Sequence, residues 1–531
     1  MPGRHVLAWD LGTAGAKVGL VAPSGQVLAS EFEPVELLLS NGGAEQRPRE
    51  WWRALSLATQ RLLAREVVPR NSIAAVGVTA QWAGTVMVDA AGVPLHNAVI
   101  WMDARGADAV KRLTGGFPQV AGYALHKVIR FMRLTGGAPT QGGKDPIGHI
   151  LWLRESKPEL YARAHKFLEP KDYLTYVLTG RFTATFDSIA MHWVTDNRDP
   201  NRIVYDAGLL RMLGLDREKL PDLCAAPDVI GPLLPERANE LGLDPSVVVV
   251  GGAPDVHSAA IGAGTTRNFS THLYVGTSSW ISCHVPAKKT DVLHNMAALP
   301  AAIPGRYLLL NSQETAGACL THLRDNVFFA EDELATRAPP NAFELLDRIA
   351  ARAPAGSGRL LFLPWLYGER TPVEDARLRG GFYNYSLEHR RPHLIRSVLE
   401  GVAYNTAWLF RHIEGFIGQR IDELRFIGGG ACSDLWCQIF ASVLDRRILR
   451  VESPRASNLR GAGLIAFVGL GELDFDTAAA RVAVERSFEP ERSERTLYQQ
   501  LFAEFLQIHA KNRGILRRLN QNLSPAQPKL T

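Results

Sequence analysis

A single carboxylate, Asp255, stands where a buried strand meets a helix and could act as a general base. Four consecutive valines, Val247 to Val250, predict a short buried strand, which Gly251 and Gly252 interrupt. The small apolar residues after Asp255 predict a helix that packs closely against other backbone. Aspartate is also among the best helix N-caps. This stretch by itself therefore leaves a capping role and a catalytic role equally open.

A second acid, Asp10, ends the first predicted strand and opens the segment DLGTAGAK. The turn from Gly12 to Gly15 is made of small residues whose backbone N–H groups could face an anion. Asp10 could reach a divalent cation through water, while Thr13 or Lys17 could touch phosphate. The segment is not a Walker A loop, because GxxxxGK[ST] is missing. An ordinary hairpin remains the alternative.

A similar hairpin recurs in the second half of the chain. Thr271 to Val275 predicts a strand, Gly276, Thr277 and Ser278 a small-residue turn, and the stretch from residue 280 to 285 a returning strand. Two hairpins of this kind suggest two domains of one fold, each offering a phosphate loop.

A third glycine-rich turn follows a predicted strand from Leu424 to Ile427. The residues Gly429, Gly430 and Ala431 lead into a helix that starts near Ser433. Strand, glycines and helix N-terminus together form a place where a flat base or a phosphate can approach backbone. A tight strand–helix turn explains the same residues equally well. The segment 460–463 predicts another small-residue helix beside this turn.

Polar side chains also stand near the ends of other predicted strands. Gln81 follows a strand over 73–79, with 85–89 predicted as its partner, and Asp103 follows a strand over 98–101. In α/β sheets ligands sit outside the strand ends, so these groups could line one pocket. Each of them alone could also be a turn residue or part of a surface ion pair.

Bulk composition sets limits on the class of protein. The 531 residues carry a net charge of +5, without a basic block interleaved with aromatic residues, so nucleic-acid binding is not indicated. The five cysteines form no CxxC pair, which argues against a disulfide framework and favours a reducing, cytoplasmic location. No apolar run is long enough to suggest a membrane span.

Taken in order, these segments resemble the FGGY carbohydrate kinases, within the actin–hexokinase–heat-shock ATPase superfamily, with xylulokinases as the nearest group. The resemblance covers residues 6–471 and is carried by DLGTAGAK, EQRPREWW, PKDYLTYVLTG, GERTP and IGGGA. It implies an α/β fold with two ribonuclease-H-like domains flanking a deep cleft. Residues 1–262 would bind sugar and hold the catalytic base, and residues 263–531 would bind ATP. It also implies a possible homodimer.

The resemblance further assigns roles around MgATP. Asp255 corresponds to the general base and Asp10 to the magnesium-associated acid. The positions implied for nucleotide binding are Gly12, Thr13, Lys17, Gly276, Thr277, Ser278, Gly429, Gly430, Ala431 and Ser433. Because a free aspartate has a pKa of about 3.9, Asp255 is expected to be ionised at neutral pH.

The sugar site departs from the family pattern. The expected substrate-binding positions are Gln81, Trp82, Ala83, Asp103, Val256 and His257. Ala83 stands where xylulokinases have His, and Val256 where they have Asn. A sugar hydroxyl facing apolar groups loses roughly 1–3 kcal/mol. Trp82 could stack on a sugar or simply pack, and His257 could contact sugar or cap a carbonyl.

The substrate expectation is therefore a small ketose or polyol, with D-xylulose leading. Another ketose or sugar alcohol, such as ribulose or erythritol, stays open. Glycerol is disfavoured because the Arg-Glu pair of glycerol kinases is missing after Gln81. A non-catalytic sugar- or nucleotide-binding regulator on the same fold, and an actin- or chaperone-like ATPase, are the alternatives from other classes.

Overall fold

The first of two large sheets is built around the N-terminal hairpin. This computed structural model describes residues 4–120, 122–330, 332 and 337–521. The strands of the sheet are His5–Gly12 (β1), Gly15–Val21 (β2), Val27–Pro34 (β3), Ile73–Ala80 (β4), Val229–Pro232 (β5), Val248–Val250 (β6) and Ala253–Pro254 (β7). Their order is β5-β6-β4-β1-β2-β3, and β7 also pairs with β4.

The second large sheet repeats this plan. Its strands are Thr271–Val275 (β8), Ser279–Val285 (β9), Thr290–Asp291 (β10), Met296–Pro300 (β11), Tyr307–Leu310 (β12), Glu423–Ile427 (β13), Arg447–Val451 (β14) and Val484–Phe488 (β15). Their order is β10-β11-β12-β9-β8-β13-β14-β15.

The strand directions of the two sheets match. In the first sheet β1 is antiparallel to β2 and parallel to β4, which is parallel to β6, and β6 is antiparallel to β5. In the second sheet β8 is antiparallel to β9 and parallel to β13, which is parallel to β14, and β14 is antiparallel to β15. The two hairpins therefore belong to two copies of one α/β arrangement, as the sequence predicts.

Helices flank both sheets. Those before residue 263 are Pro48–Ala64 (α1), Ala107–Thr114 (α2), Leu125–Leu134 (α3), Pro146–Ser156 (α4), Pro158–Arg163 (α5), Pro170–Thr179 (α6), Ala207–Leu213 (α7), Pro235–Leu241 (α8) and Asp255–Gly262 (α9). The later ones are Gly317–Leu323 (α10), Ala342–Ala350 (α11), Arg391–Ile417 (α12), Asp434–Leu444 (α13), Ser457–Gly469 (α14), Phe475–Ala480 (α15) and Arg495–Leu519 (α16). Within the described ranges, no helix combines the length and apolar character needed to cross a membrane.

Short strand pairs complete the fold. They are Leu38–Ser40 with Gly43–Gln46 and Ala98–Val99, Val86–Val88 with Lys166–Leu168, Gln119–Val120 with Tyr123–Ala124, Thr183–Thr185 with Asp222–Cys224, Thr195–Asp196 with Val204–Tyr205, and Leu361–Leu363 with Gly381–Tyr383. The predicted pairing of 85–89 with 73–79 is wrong. Strand β4 is already paired with β1 on one side and with β6 and β7 on the other, so it has no free edge.

Two helices, α9 and α14, lie between the sheets and share one apolar core with both. Alternation along β1 explains this: Leu7, Trp9 and Leu11 enter the core of the first sheet, while Val6 and Ala8 face the intervening helices. Asp10 continues the second set, since strand side chains alternate faces. The strand thus carries Asp10 to the edge of the space between the sheets.

Glycines at their contact let the backbones of α9 and α14 touch each other directly. A Cβ on Gly461 would lie 1.9 Å from the carbonyl oxygen of Ser258, and one on Gly262 would lie 1.8 Å from that of Ser457. The small-residue helix predicted at 460–463 exists as part of α14. Its apolar residues lie in the core shared with both sheets, which also contains Ile427, the residue before the third glycine turn.

Candidate active site

Asp255 is the first residue of α9, at the point where β7 ends. The N-cap of this helix is Pro254, so Asp255 does not take the capping role that its residue type allows. The Oδ1 atom of Asp255 accepts a hydrogen bond of 2.8 Å from the backbone N–H of Val256. The helix start therefore fixes the carboxylate by one oxygen.

The environment of Asp255 shifts its protonation. Burial, and secondly the negative charge of Asp10, raise the pKa of Asp255 to about 7. The expectation that this acid is fully ionised at neutral pH is therefore wrong. The sequence argument used the pKa of a solvated side chain, and folding removes the water and adds a second acid.

Asp10 lies between a cation and an amide. Lys17 is its register partner across the β1–β2 hairpin, and Asn458 at the start of α14 hydrogen-bonds its side chain. Burial raises the pKa of Asp10, and these two neighbours oppose that rise. Sequence reasoning missed Asn458, because only the packing of α14 against the first sheet brings it to Asp10.

Thr13 and Gln81 belong to one hydrogen-bonded network beside the first hairpin. The Thr13 hydroxyl donates to Gln81 Oε1 at 3.0 Å and accepts from Trp101 Nε1 at 2.9 Å. Gln46 accepts from Gln81 Nε2 at 2.7 Å and from Trp51 Nε1 at 3.1 Å. The hydroxyl of Thr13, a residue assigned to phosphate binding, is thus already hydrogen-bonded to Gln81 and Trp101. The backbone of the turn at Gly12 is half-exposed.

The second hairpin presents its turn to solvent. Thr277 is exposed, and Gly276 and Ser278 are half-buried. The Gly276 N–H donates to the carbonyl of Ser278, and the Gly276 carbonyl accepts from Gly317 at the start of α10. The start of α10 thus holds the backbone of the turn, and the Thr277 side chain faces solvent.

The third glycine turn has one open position. Gly429 is exposed, and a Cβ placed on it would meet no atom within 4 Å. Gly430 instead packs against Val275, where a Cβ would lie 2.8 Å from the Val275 Cγ1 atom, and Ala431 is fully buried. Ser433 is the N-cap of α13 and accepts from the N–H of Trp436. Of the four positions assigned to this turn, Gly429 is the exposed one and can offer backbone to a ligand.

The positions assigned to sugar are mostly apolar or already paired. Trp82 Nε1 donates to the Ser188 carbonyl at 3.0 Å, and its ring meets His257 edge-on at 5.2 Å between centroids. His257 Nδ1 accepts from the N–H of Ala302 at 3.3 Å, so His257 does not cap a carbonyl. Burial lowers the pKa of His257 to about 3, which keeps the ring neutral.

The remaining positions assigned to the substrate are two apolar residues, Ala83 and Val256, and one acid, Asp103. Ala83 adopts the left-handed backbone region with φ of 60°, and Val256 is half-buried beside an apolar cluster. Asp103 is buried with both oxygens taken: Oδ2 accepts from the N–H of Ala44 at 2.8 Å, and Arg105 binds both oxygens. The structure thus gives Asp103 a complete set of protein partners.

The donor set around Asp10 fits magnesium better than a protein-enclosed metal. Among the described residues, no group of three or more His, Cys, Asp or Glu side chains could hold a metal ion. Magnesium usually takes one or two carboxylates together with water and substrate phosphates. Asp10, with Asp255 near it, provides that kind of site.

Fold and site together define a class of protein. The duplicated ribonuclease-H-like sheets carry two acids and three glycine turns, which is the arrangement of phosphotransferases with the actin-like fold. The sequence pattern of the FGGY family of carbohydrate kinases matches this chain twice, its N-terminal domain at residues 5–262 and its C-terminal domain at residues 271–470. The chain belongs to the FGGY family and is a carbohydrate kinase.

Individual relatives agree with this membership. The chain is 28% identical over 522 residues to a xylulose kinase of Staphylococcus epidermidis, across 96% of this chain and 97% of that one. It is similar in structure to a gluconate kinase from Lactobacillus acidophilus, with a TM-score of 0.84 and 25% identity over 97% of this chain and 100% of the other. It is also similar to a ligand-bound xylulose kinase from that organism, with a TM-score of 0.83, 25% identity and the same coverage.

Proposed function

We propose that this protein is an ATP-dependent kinase that transfers the γ-phosphate of MgATP to a hydroxyl of a small ketose or polyol, with D-xylulose as the leading substrate. The observation that carries the proposal is the placement of Asp255. It is a half-buried acid with a pKa of about 7 at the start of a helix, beside a second acid, Asp10. A general base works best when its pKa lies near the working pH.

Asp255 takes the proton of the attacking hydroxyl. Its Oδ1 atom is held by the N–H of Val256, which leaves Oδ2 for the substrate. Phosphoryl transfer passes through a loose transition state, so the protein mainly positions the reactants and neutralises charge. Magnesium, when bound, would neutralise phosphate oxygens, and Asp10 is the residue that would hold it.

The nucleotide side is assigned to the three glycine turns. The turn from Gly12 to Gly15 with Lys17, and the turn at Gly276, Thr277 and Ser278, provide N–H groups and a cation for the phosphates. Backbone N–H groups in such turns bind anions without a charged side chain. Gly429 provides the open backbone surface for the adenosine, with Gly430, Ala431 and Ser433 shaping the turn.

The sugar side is assigned to Gln81, Trp82, Ala83, Val256 and His257. Ala83 and Val256 lack a polar side chain. A substrate that directs fewer hydroxyls at these two positions should therefore bind more tightly. Asp103 is also assigned to the sugar side, although its oxygens already accept from Arg105 and from the N–H of Ala44. The similarity to a gluconate kinase makes D-gluconate a useful competitor in the test.

Three coarser assignments accompany this function. We propose a domain boundary after Gly262, so that residues 1–262 bind sugar and residues 263–531 bind ATP. We also propose a homodimer in the cytoplasm. Sedimentation velocity of the purified chain checks the oligomeric state.

The deciding experiment is a coupled ADP-release assay with MgATP and a panel of D-xylulose, D-ribulose, erythritol, glycerol and D-gluconate. Asp255→Asn is measured beside the wild type, with Asp108→Asn as a matched control because Asp108 is an exposed acid of α2. The proposal expects one sugar to stimulate ADP release, with activity lost only in Asp255→Asn. ATP binding without stimulation by any sugar would favour the regulator alternative.

A further inference from the structure

Tyr274 is an aromatic side chain on β8 that faces the space between the two sheets. Its neighbours Leu273 and Val275 enter the core of the second sheet, while Tyr274 packs against the core around α9 and α14. Trp280, its register partner on β9, stacks on it with 3.8 Å between ring centroids and 10° between planes. The indole therefore fixes the orientation of the phenol ring.

The ring lies between two of the glycine turns. A Cβ on Gly276 would lie 2.5 Å from the Tyr274 hydroxyl oxygen, and a Cβ on Gly428 would lie 3.2 Å from the Tyr274 Cε2 atom. The hydroxyl thus reaches the second hairpin, and the ring edge reaches the turn before Gly429.

The hydroxyl is available as a donor. Among the residues that the structure describes, no protein group hydrogen-bonds it, and the side chain is only half-buried. Asp255 and Asp10 lie near enough to act on its charge: burial first, and then these two acids, raise the pKa of Tyr274 well above its usual value. Tyr274 therefore remains a neutral phenol whose proton can be shared with an acceptor.

We propose that Tyr274 is a further catalytic residue, whose hydroxyl donates a hydrogen bond to the phosphoryl group while that group moves from nucleotide to sugar. This inference rests on the proposed function. Donors fixed before the reaction at the place where charge develops stabilise a transition state without reorganisation. A neutral phenol fits a site that contains Lys17 and would hold magnesium at Asp10, since it adds a donor without adding charge.

The test compares a product-state ligand with a transition-state mimic. Tyr274→Phe keeps the stacked ring and removes the hydroxyl. Calorimetry in the presence of Mg²⁺ and sugar would measure affinity for ADP alone and for ADP with aluminium fluoride, beside kcat. A hydrogen bond to a charged group predicts about ten- to hundredfold weaker binding of the fluoride complex and a similar loss of kcat, with ADP affinity within about twofold of wild type.

Tyr176→Phe is the matched control. Tyr176 also stacks on an aromatic ring, that of Phe182 at 4.2 Å, and its hydroxyl donates to the Ala91 carbonyl. If the wild type is active and Tyr274→Phe has the same kcat and the same affinity for the fluoride complex, the inference about Tyr274 is overturned, whereas the proposed function stands. Equal losses of ADP and fluoride-complex affinity would also overturn it, because they indicate a purely structural ring. A wild type without sugar-dependent ADP release would overturn the proposed function as well.

Discussion

The carboxylate of Asp10 lies close enough to that of Asp255 for its charge to raise the pKa of Asp255. The register of the first sheet explains this meeting. Thr79 on β4 pairs with Asp10 on one side and with Ala253 on the other, and Asp255 follows two residues later. Folding therefore brings together two acids that are far apart in sequence, and several properties of the site depend on that arrangement.

Activity should depend on the ionisation of Asp255. Only the ionised carboxylate can accept the hydroxyl proton, so kcat/KM should rise about tenfold per pH unit below the pKa of about 7 and level off above it. The measurement is a pH profile of kcat/KM for the sugar at saturating MgATP. Bound Mg²⁺ should move the apparent pKa downward, because a nearby cation favours the carboxylate. A profile that is flat from about pH 5.5 to 8.5 would contradict the assigned base.

Asp255→Asn should stabilise the folded protein at high pH. The pKa of Asp255 is about 7 when folded and about 3.9 in an unfolded chain. Between these values the folded state holds a proton that the unfolded state has lost, so the free energy of unfolding falls as pH rises through this window. The substitution removes that loss, on the order of 4 kcal/mol at pH 8. Thermal unfolding at pH 4.5 and 8 checks this, and an equal change at both pH values would refute it.

Gly461→Ala should separate α9 from α14. The new Cβ would lie 1.9 Å from the carbonyl oxygen of Ser258, which is backbone and cannot rotate away. Overpacking of this kind costs about 1–3 kcal/mol, and kcat should fall because α9 carries Asp255. Gly415→Ala is the control, since its Cβ would meet nothing within 4 Å and the helix should gain about 1 kcal/mol. Chemical denaturation measures both.

Asn458→Ala should raise the magnesium requirement. Asn458 hydrogen-bonds the Asp10 side chain, and loss of such an orienting partner typically weakens metal binding about tenfold or more. The measurement is the Mg²⁺ concentration for half-maximal rate at fixed ATP. Asn512→Ala in α16, whose amide bonds only its own helix at Ile508, should leave this concentration unchanged. An unaltered Mg²⁺ dependence in Asn458→Ala would argue against a metal at Asp10.

Cys432 should report nucleotide binding. It is exposed next to the third glycine turn, whereas the other cysteines are buried or half-buried: Cys224, Cys283, Cys319 and Cys437. Burial raises the pKa of the Cys224 thiol to about 12, which keeps it unreactive. Iodoacetamide followed by peptide mass spectrometry should label Cys432 first, and MgADP should slow that labelling severalfold. Labelling that MgADP does not slow would place the adenosine elsewhere.

Local features of this protein could be predicted from the sequence because local interactions decide them. Strand β8 matches its prediction residue for residue, since β-branched and apolar residues end at a glycine turn. The segment PKDYLTYVLTG forms the helix Pro170–Thr179, which stops at Gly180, whose φ is 71°. The junction at Asp255 was likewise found from its valines and glycines.

Distant contacts were decided only by the tertiary structure. The position of α14 depends on glycines of two helices meeting backbone to backbone, and only that packing brings Asn458 to Asp10. Tyr274 has the sequence signature of an ordinary strand residue, because nothing near it in the chain shows which turns its ring will touch. The raised pKa of Asp255 has the same origin: the sequence supplies the carboxylate, whereas burial and a second acid, both products of folding, set its proton affinity.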